Sequence, residues 1–335
     1  MRAFWQLGLV AALLAAPMIA QAGDAGRVGT SGALELLIPT GARGVAMGGS
    51  VIAEQGGTDA WFWNPAGAAT IQGNELGFSY RQYIADISLS HLTFAHNAGS
   101  AGVIGLSVKA LSAGDEEIYT TTQPDGTGET FSSSFVVVGA SYARMLTDQV
   151  SLGLNGHYIA EKIYNETAQG VAFDVGFVYR SPWKGTTFGI VVKNFGPKMS
   201  FDGPDFDVPV DDGTSSSTRD GRTQSASFEL PSFIQFGFAW DAWRTASQQG
   251  RLVGAFQSNN FSEDEFRLGA EWGISNQLFL RGGYSTSSLE SYLYGFSAGL
   301  GLRLPVGKTE TRIDYAWADA GVFDNNHLFT VSFAF

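Results

Sequence analysis

The chain has 335 residues, a formal net charge of −12, no cysteine and a mean hydropathy of +0.01. An acidic chain is a poor partner for nucleic acid, and without cysteine its stability rests on packing and hydrogen bonds rather than disulfides. Its one long apolar run, at the start, is short of the ~20 residues a spanning helix needs. No phosphate loop, zinc spacing or other strong catalytic motif is present, so the residues point to no enzyme, cofactor or metal.

Residues 1–22 read as a secretory signal peptide. Arg2 supplies the positive start, Leu7 to Ile19 an apolar run broken by Gly8 and Pro17, and Ala20-Gln21-Ala22 a small-x-small cleavage site. The competing reading is an uncleaved anchor. Export without cysteine is compatible with a protein whose low charged fraction of 16%, 43 glycines and 13% aromatics do not suit an ordinary soluble surface. They suit a transmembrane barrel, in which one face of each strand meets lipid and the other a polar lumen.

Residues 23–74 carry no strand signal. They are rich in Gly and Ala, notably over 41–49, followed by Val51-Ile52-Ala53 and by 58–67. Asp59 is expected to cap a short helix and Gly67 to end it. Because this segment precedes the first strand, it is expected to start on the periplasmic side. Residues 31–70, with Trp61 and Trp63, are expected to pack into the barrel from that side as a plug.

From 75 to 335 the dominant signal is period-2 alternation broken by turn residues. It predicts strands over 75–81, 86–96, 101–111, 131–145, 150–162, 169–181, 185–195, 229–241, 250–257, 265–275, 277–285, 292–304, 309–317 and 328–335, an even number of about fourteen. Hairpin connections alternate. The second, fourth, sixth, tenth and twelfth are short turns and the eighth is a little longer. The odd ones include the longest loops, about 112–130 and 196–228. A soluble β-sandwich shares the alternation but has no reason to sort its loops by parity. The fold class is therefore an all-β, transmembrane antiparallel barrel of about fourteen strands with an N-terminal plug. Two aromatic belts are expected, Trp183, Trp240, Trp243 and Trp272 near the short turns, and Tyr164, Tyr284, Tyr292 and Trp317 near the long loops.

Alternation sends Lys109, Asp174, Arg180, Arg267, Glu271, Arg281, Arg303, Glu310, Arg312 and Asp314 to the lumen. A charge on the lipid face costs a few kcal/mol near the midplane, about 2–4 for Arg or Lys. These residues are expected to pair with one another and with the plug, or to line a polar conduit, and Arg43 to anchor the plug to a lumenal carboxylate. Gly99, Gly102 and Gly105 mark either a weak place in the wall or turn and packing positions. Near the long-loop end, Tyr119, Phe131, Tyr164, Phe201, Phe206, Phe228 and Phe261 line an apolar pocket or simply order the loops. The loop acids Asp202, Asp205, Asp207, Asp211, Asp212 and Asp220, and Asp115 to Glu117, lack calcium-loop spacing and read as solvated. His91, His96, His157 and His327 lack metal-ligand spacing.

Phe329, Val331, Phe333 and Phe335 fall on one face of a strand that ends the chain. This resembles the closing strand of bacterial outer-membrane barrels, whose terminal aromatic is read by the barrel insertion machinery. In the N-terminal segment, Ala42-Arg43, Met47-Gly48-Gly49, Asp59 and Trp63-Asn64-Pro65-Ala66-Gly67 together resemble the PorV/PorQ family. That resemblance, at the motif level over residues 31–70, implies a FadL-type barrel of fourteen strands with its N-terminal segment in the lumen, surrounded by outer-membrane lipid. Two functions follow from it: binding or passage of hydrophobic small molecules, or service as a type IX secretion shuttle carrying an exported cargo protein. A structural or adhesive surface barrel is a third reading.

Overall fold

The computed structural model describes residues 25–84, 87–183, 185–210, 219–289, 292–323 and 325–335. The leader expected at 1–22, and the loop acids Asp211 and Asp212, lie outside them.

The strands are β1 (Asn74–Gln82), β2 (Ser88–Asn97), β3 (Val103–Glu117), β4 (Thr130–Met145), β5 (Val150–Ile163), β6 (Glu166–Arg180), β7 (Thr186–Phe195), β8 (Phe201–Asp202), β9 (Asp207–Val210), β10 (Arg219–Arg222), β11 (Phe233–Arg244), β12 (Gln248–Asn259), β13 (Glu265–Ile274), β14 (Leu278–Ser287), β15 (Phe296–Val306), β16 (Thr309–Ala318) and β17 (Asn326–Ala334). β1–β7 and β11–β17 pair antiparallel in order, β7 with β11, and β17 closes onto β1 from Glu75↔Ala334 to Gln82↔His327. That is a closed barrel of fourteen strands. β8 adds a short pairing to β6, and β9 and β10 form a separate hairpin in the loop after β7.

Closure leaves no sheet edge, which is what a bilayer demands. On β1, Glu75, Ser79 and Arg81 are buried in the lumen, whereas Leu76, Phe78 and Tyr80 face outward, Phe78 at 47% exposure. The same outward band of large apolar side chains continues through Leu106, Leu154, Phe177, Leu268, Leu300 and Phe329. A contiguous belt of this kind has no place on a soluble monomer. Near the short turns Trp183, Trp243 and Trp272 are exposed, and Tyr164 and Tyr284 are exposed near the other end.

β17 closes the wall between β16 and β1. Phe329, Phe333 and Phe335 face outward, Val331 is half-buried opposite Phe78 and Ile313, and Leu328 is buried inside. Phe335 exchanges both backbone hydrogen bonds with Asn74, at 2.8 and 2.9 Å, and so bonds the end of the chain to the start of the wall. Deleting Phe335 removes two seam hydrogen bonds worth about 1 kcal/mol each together with an apolar anchor. The heat-modifiable folded form in outer-membrane fractions should fall, and an unchanged fraction would contradict this role.

The structure corrects several expectations. β15 begins at Phe296, not 292. Tyr292 and Tyr294 turn inward, Tyr292 donating to Glu265 at 2.8 Å, so Tyr292 is no belt residue; a buried phenol seeks a partner, and the lumen holds the carboxylate. β3 runs on to Glu117, leaving a shorter loop of 118–129. Gly99 and Gly102 adopt positive φ in the β2–β3 turn, and Gly105 makes room for the Trp61 ring, so these glycines serve turn and packing rather than a weak wall.

The largest correction is the direction of the N-terminal segment. It ends at the short-turn side, where Gly73 and Ile71 accept hydrogen bonds from the Asn97 backbone and side chain at 2.9 and 2.6 Å. It starts at the opposite end: Ser31 bridges Glu229, Gly32 N–H donates to Glu229 O at 3.1 Å, and Arg27 pairs with the Glu229 carboxylate just before β11. The segment therefore threads the whole lumen, through short helices at Leu34–Leu37, α1 (Ala42–Ala46), α2 (Ala60–Trp63) and Pro65–Thr70. Its place in sequence before β1 fixes only where it ends. Asp59 makes no capping hydrogen bond, and α2 stops at Asn64, whose side chain accepts from Ala66 N–H and so starts the next turn. Gly67 lies inside that turn, against the Gln55 carbonyl.

Wall glycines make the close approach possible. A Cβ at Gly153 would lie 2.1 Å from the Pro65 carbonyl carbon, and one at Gly283 2.1 Å from the Gly48 nitrogen. Both contacts are with plug backbone, which cannot swing aside.

Candidate functional site

Two features of the lumen stand out: a charge ladder that fixes the plug and an apolar cavity above it. The ladder starts on the wall at Asp241, which accepts from Arg251 at 2.6 Å. Arg251 reaches Glu54 of the plug at 2.6 Å, and Glu54 pairs with Arg43 at 2.8 Å. Arg43 grips Glu271 of β13 with two bonds, 2.9 and 3.0 Å, and donates to Gln55 at 3.0 Å. Glu271 in turn accepts from Arg281 at 2.8 Å, and Arg281 pairs with Asp314. The alternating signs let each buried ion face its opposite, the condition under which buried charge is tolerated. Burial alone disfavours the Arg43 charge, but Glu271 and Glu54 hold its pKa well above the ordinary value. Asp59 forms no ion pair among the described residues: burial, with the negative charge of Asp314 and Glu75, outweighs the pull of Arg43 and Arg312 and pushes its carboxyl up to about 7.

The remaining lumenal charges fall into smaller groups. Glu310 bridges Arg312 at 2.7 Å and Arg303 at 3.5 Å, with Glu75 4.0 Å from Arg312. Asp174 accepts from His157 at 2.8 Å, and Arg267 pairs with Glu265 at 2.7 Å. Lys109 donates to plug carbonyls, Glu35 O at 2.6 Å and Ile38 O at 2.7 Å. Arg180 stays outside these groups, beside Ser151 and Met145.

The motif residues occupy the middle of the plug. Met47 is fully buried, Gly48 and Gly49 have positive φ, and Trp63 packs over Gly44 and Gly49. Asn64 donates to Ile52 O at 2.8 Å and to the wall carbonyl of Phe177 at 3.2 Å, while Pro65 follows against Gly153.

Above the plug, toward the long loops, lies a cavity of about 980 Å³. Leu36, Ile38 and Phe62 of the plug form its floor, and Leu111, Phe135 and Phe233 part of its wall. Of the seven apolar loop candidates, Phe201, Phe228 and Phe261 line it, with the Phe201 and Phe228 rings 5.8 Å apart. The other four lie elsewhere. Phe131 and Tyr164 pack edge to face at 5.5 Å, Tyr119 is 62% exposed beside Glu117, and Phe206 ends the Pro204–Phe206 turn. Sequence reasoning missed Leu111 and Phe135, which face inward where alternation suggests polar residues. The signal that could have found the floor is the Leu36-Leu37-Ile38 run in an otherwise small-residue segment.

A closed antiparallel barrel with a lipid-facing belt, an aromatic-ended closing strand and a threaded plug is an outer-membrane β-barrel. The chain belongs to the family of type IX secretion system protein PorV, whose model matches residues 21–208. Among curated proteins none matches the sequence. Among solved structures, the CymD monoaromatic hydrocarbon channel is similar at 13% identity, covering 89% of this chain and 97% of that chain, with a TM-score of 0.56. The toluene transporter TodX of Pseudomonas putida matches at 14% identity over 88% of this chain and 96% of that one, TM-score 0.55. The toluene transporter TbuX of Ralstonia pickettii matches at 12% identity over 88% and 98%, TM-score 0.56. At these identities the likeness speaks for the fold.

Proposed function

We propose that this barrel binds hydrophobic small molecules at the outer membrane and passes them toward its interior, after export with a cleaved leader. The observation that carries the reading is the apolar cavity of about 980 Å³ between plug and long loops. Its size and lining suit a ligand site, since such sites are concave, mostly apolar and about 300–1,000 Å³. Transport of monoaromatic hydrocarbons by proteins of similar fold agrees with it. The reading assigns no catalytic role to any residue. Mass spectrometry of gently purified protein should show a co-purifying apolar molecule. The double substitution Phe201→Asp and Phe228→Asp, which puts two carboxylates into the wall, should abolish it while the heat-modifiable form persists. An empty wild-type barrel overturns the proposal.

A second reading rests on the family itself: the barrel is a mount, and the loop after β7, with its β9–β10 hairpin, holds an exported cargo protein. Its mark is a barrel that purifies empty and captures an exported protein only while residues 196–228 are intact.

A further inference from the structure

Between the plug and the β2–β7 wall lies a second cavity of about 30 Å³, lined by Trp61 and Phe62 of the plug and by His91, Lys109, His157, Asp174 and Lys193 of the wall. It is large enough for a water or a monatomic ion. The charged groups around it are unusual. Lys109 and Lys193 are 6% and 4% exposed, and their ammonium groups sit 4.9 and 3.9 Å from the centre of the same Phe62 ring. Each bonds plug carbonyls, but among the described residues neither forms an ion pair with a carboxylate.

The carboxylate in the lining, Asp174, is already committed. One oxygen accepts from His157 and Asn155, at 2.8 and 3.0 Å, and the other from the Asn194 backbone N–H at 2.8 Å. Meanwhile other groups around the cavity lack partners. The Trp61 indole N–H and the His157 Nδ1 are buried without a hydrogen bond, and His91 is 5% exposed with none among the described residues. Buried charges and donors of this kind call for a counter-group. The ammonium N–H groups that Lys109 and Lys193 leave unused, with the Trp61 N–H, outnumber the acceptor nitrogens of the two rings, His157 Nδ1 being an acceptor while Nε2–H faces Asp174. A water molecule offers as many donors as acceptors. An anion offers only acceptance.

We propose that this cavity is a binding site for a small monovalent inorganic anion of halide size, which neutralises the two lysines and ties the plug to the wall. The inference is independent of what the upper cavity binds. The hydrophobic ligand of that cavity could be absent and this site would still stand.

The full chain in detergent micelles provides the test. Thermal midpoints by heat-modifiable gel shift are compared in sodium chloride, sodium bromide and sodium gluconate at equal ionic strength, gluconate being too large for the cavity. Both halides should raise the midpoint by about 2–4 °C through binding to the folded state alone. Lys193→Met should lose the increment. Gly139→Ala should lose it too without removing a charge, because its methyl group would lie 2.3 Å from Ser107 Oγ and 3.2 Å from His157 Nδ1 and so push on two residues that line the cavity. Lys308→Met, in an exposed turn, should keep it. Crystals grown in bromide should show an anomalous peak beside Phe62, a readout that needs no variant. Equal midpoints in chloride and gluconate, the result for a cavity filled by water, overturn the proposal. So does an increment that survives both Lys193→Met and Gly139→Ala, or a bromide crystal without the peak.

Discussion

Arg43→Met should unlock the plug. The substitution takes one arginine from Glu54 and from Glu271, two buried carboxylates that Arg43 bridges at 2.8 and 2.9 Å, and leaves them with Arg251 and Arg281 alone. Removing one partner of a buried ionic group costs about 3–5 kcal/mol when the remaining charge is left bare; each carboxylate here keeps one arginine, so the cost should fall at or below the lower end of that range. The barrel wall keeps its own ladders, so the loss should fall on the plug. In planar bilayers the wild-type protein should conduct ions poorly, and Arg43→Met should raise its conductance toward that of a chain lacking residues 31–70, provided the truncated barrel folds. Glu271→Gln should be milder than Arg43→Met, since it keeps the shape and part of the hydrogen bonding. Unchanged conductance and thermal midpoint in Arg43→Met would falsify the assignment of the ladder as the plug's lock.

The second large effect is steric. Gly153→Val places a branched side chain where even a Cβ lies 2.1 Å from the Pro65 carbonyl carbon and 2.2 Å from the Ala66 nitrogen. Overpacking of ordinary side chains costs about 1–3 kcal/mol; here the obstacle is backbone, so the cost should reach or exceed the top of that range. Gly156→Val, three residues along the same strand, is the control. Its Cβ would meet nothing nearer than the Phe173 ring at 3.7 Å, on the outer face. Protease accessibility of residues 31–70 should rise for Gly153→Val and stay at the wild-type level for Gly156→Val. Equal protection in both variants would mean that the plug does not depend on the wall glycine.

The contrast between these two glycines shows what alternation carries and what it omits. Period-2 patterning sent Asp174, Glu271 and Arg281 inward, and the same alternation separates Gly153 from Gly156 across β5. It worked because a strand in a closed barrel has two unlike solvents, lipid and lumen, and side chains alternate between them. The same pattern failed at Leu111 and Phe135, which face the lumen at the apolar cavity, and at Tyr292 and Tyr294. At those places the lumen itself becomes apolar or offers a buried carboxylate, and a rule that equates inside with polar has no purchase.

The wall was legible from the residues alone: strand number, the parity of short turns and long loops, the closing aromatic strand and the family-like motif. These are local properties, written in alternation and turn residues. Glu271 and Arg281 face each other across the β13–β14 hairpin, but which wall charges meet the plug depends on the folded chain, because Arg43 lies 228 residues from Glu271 and no spacing rule links them. The course of the plug was decided there too. Nothing local to residues 25–38 says that they begin at the long-loop end; the ion pair of Arg27 with Glu229 and the bonds of Lys109 to Glu35 and Ile38 hold them there. A Gly- and Ala-rich segment carries little directional information of its own, so its path is set by the cavity that receives it.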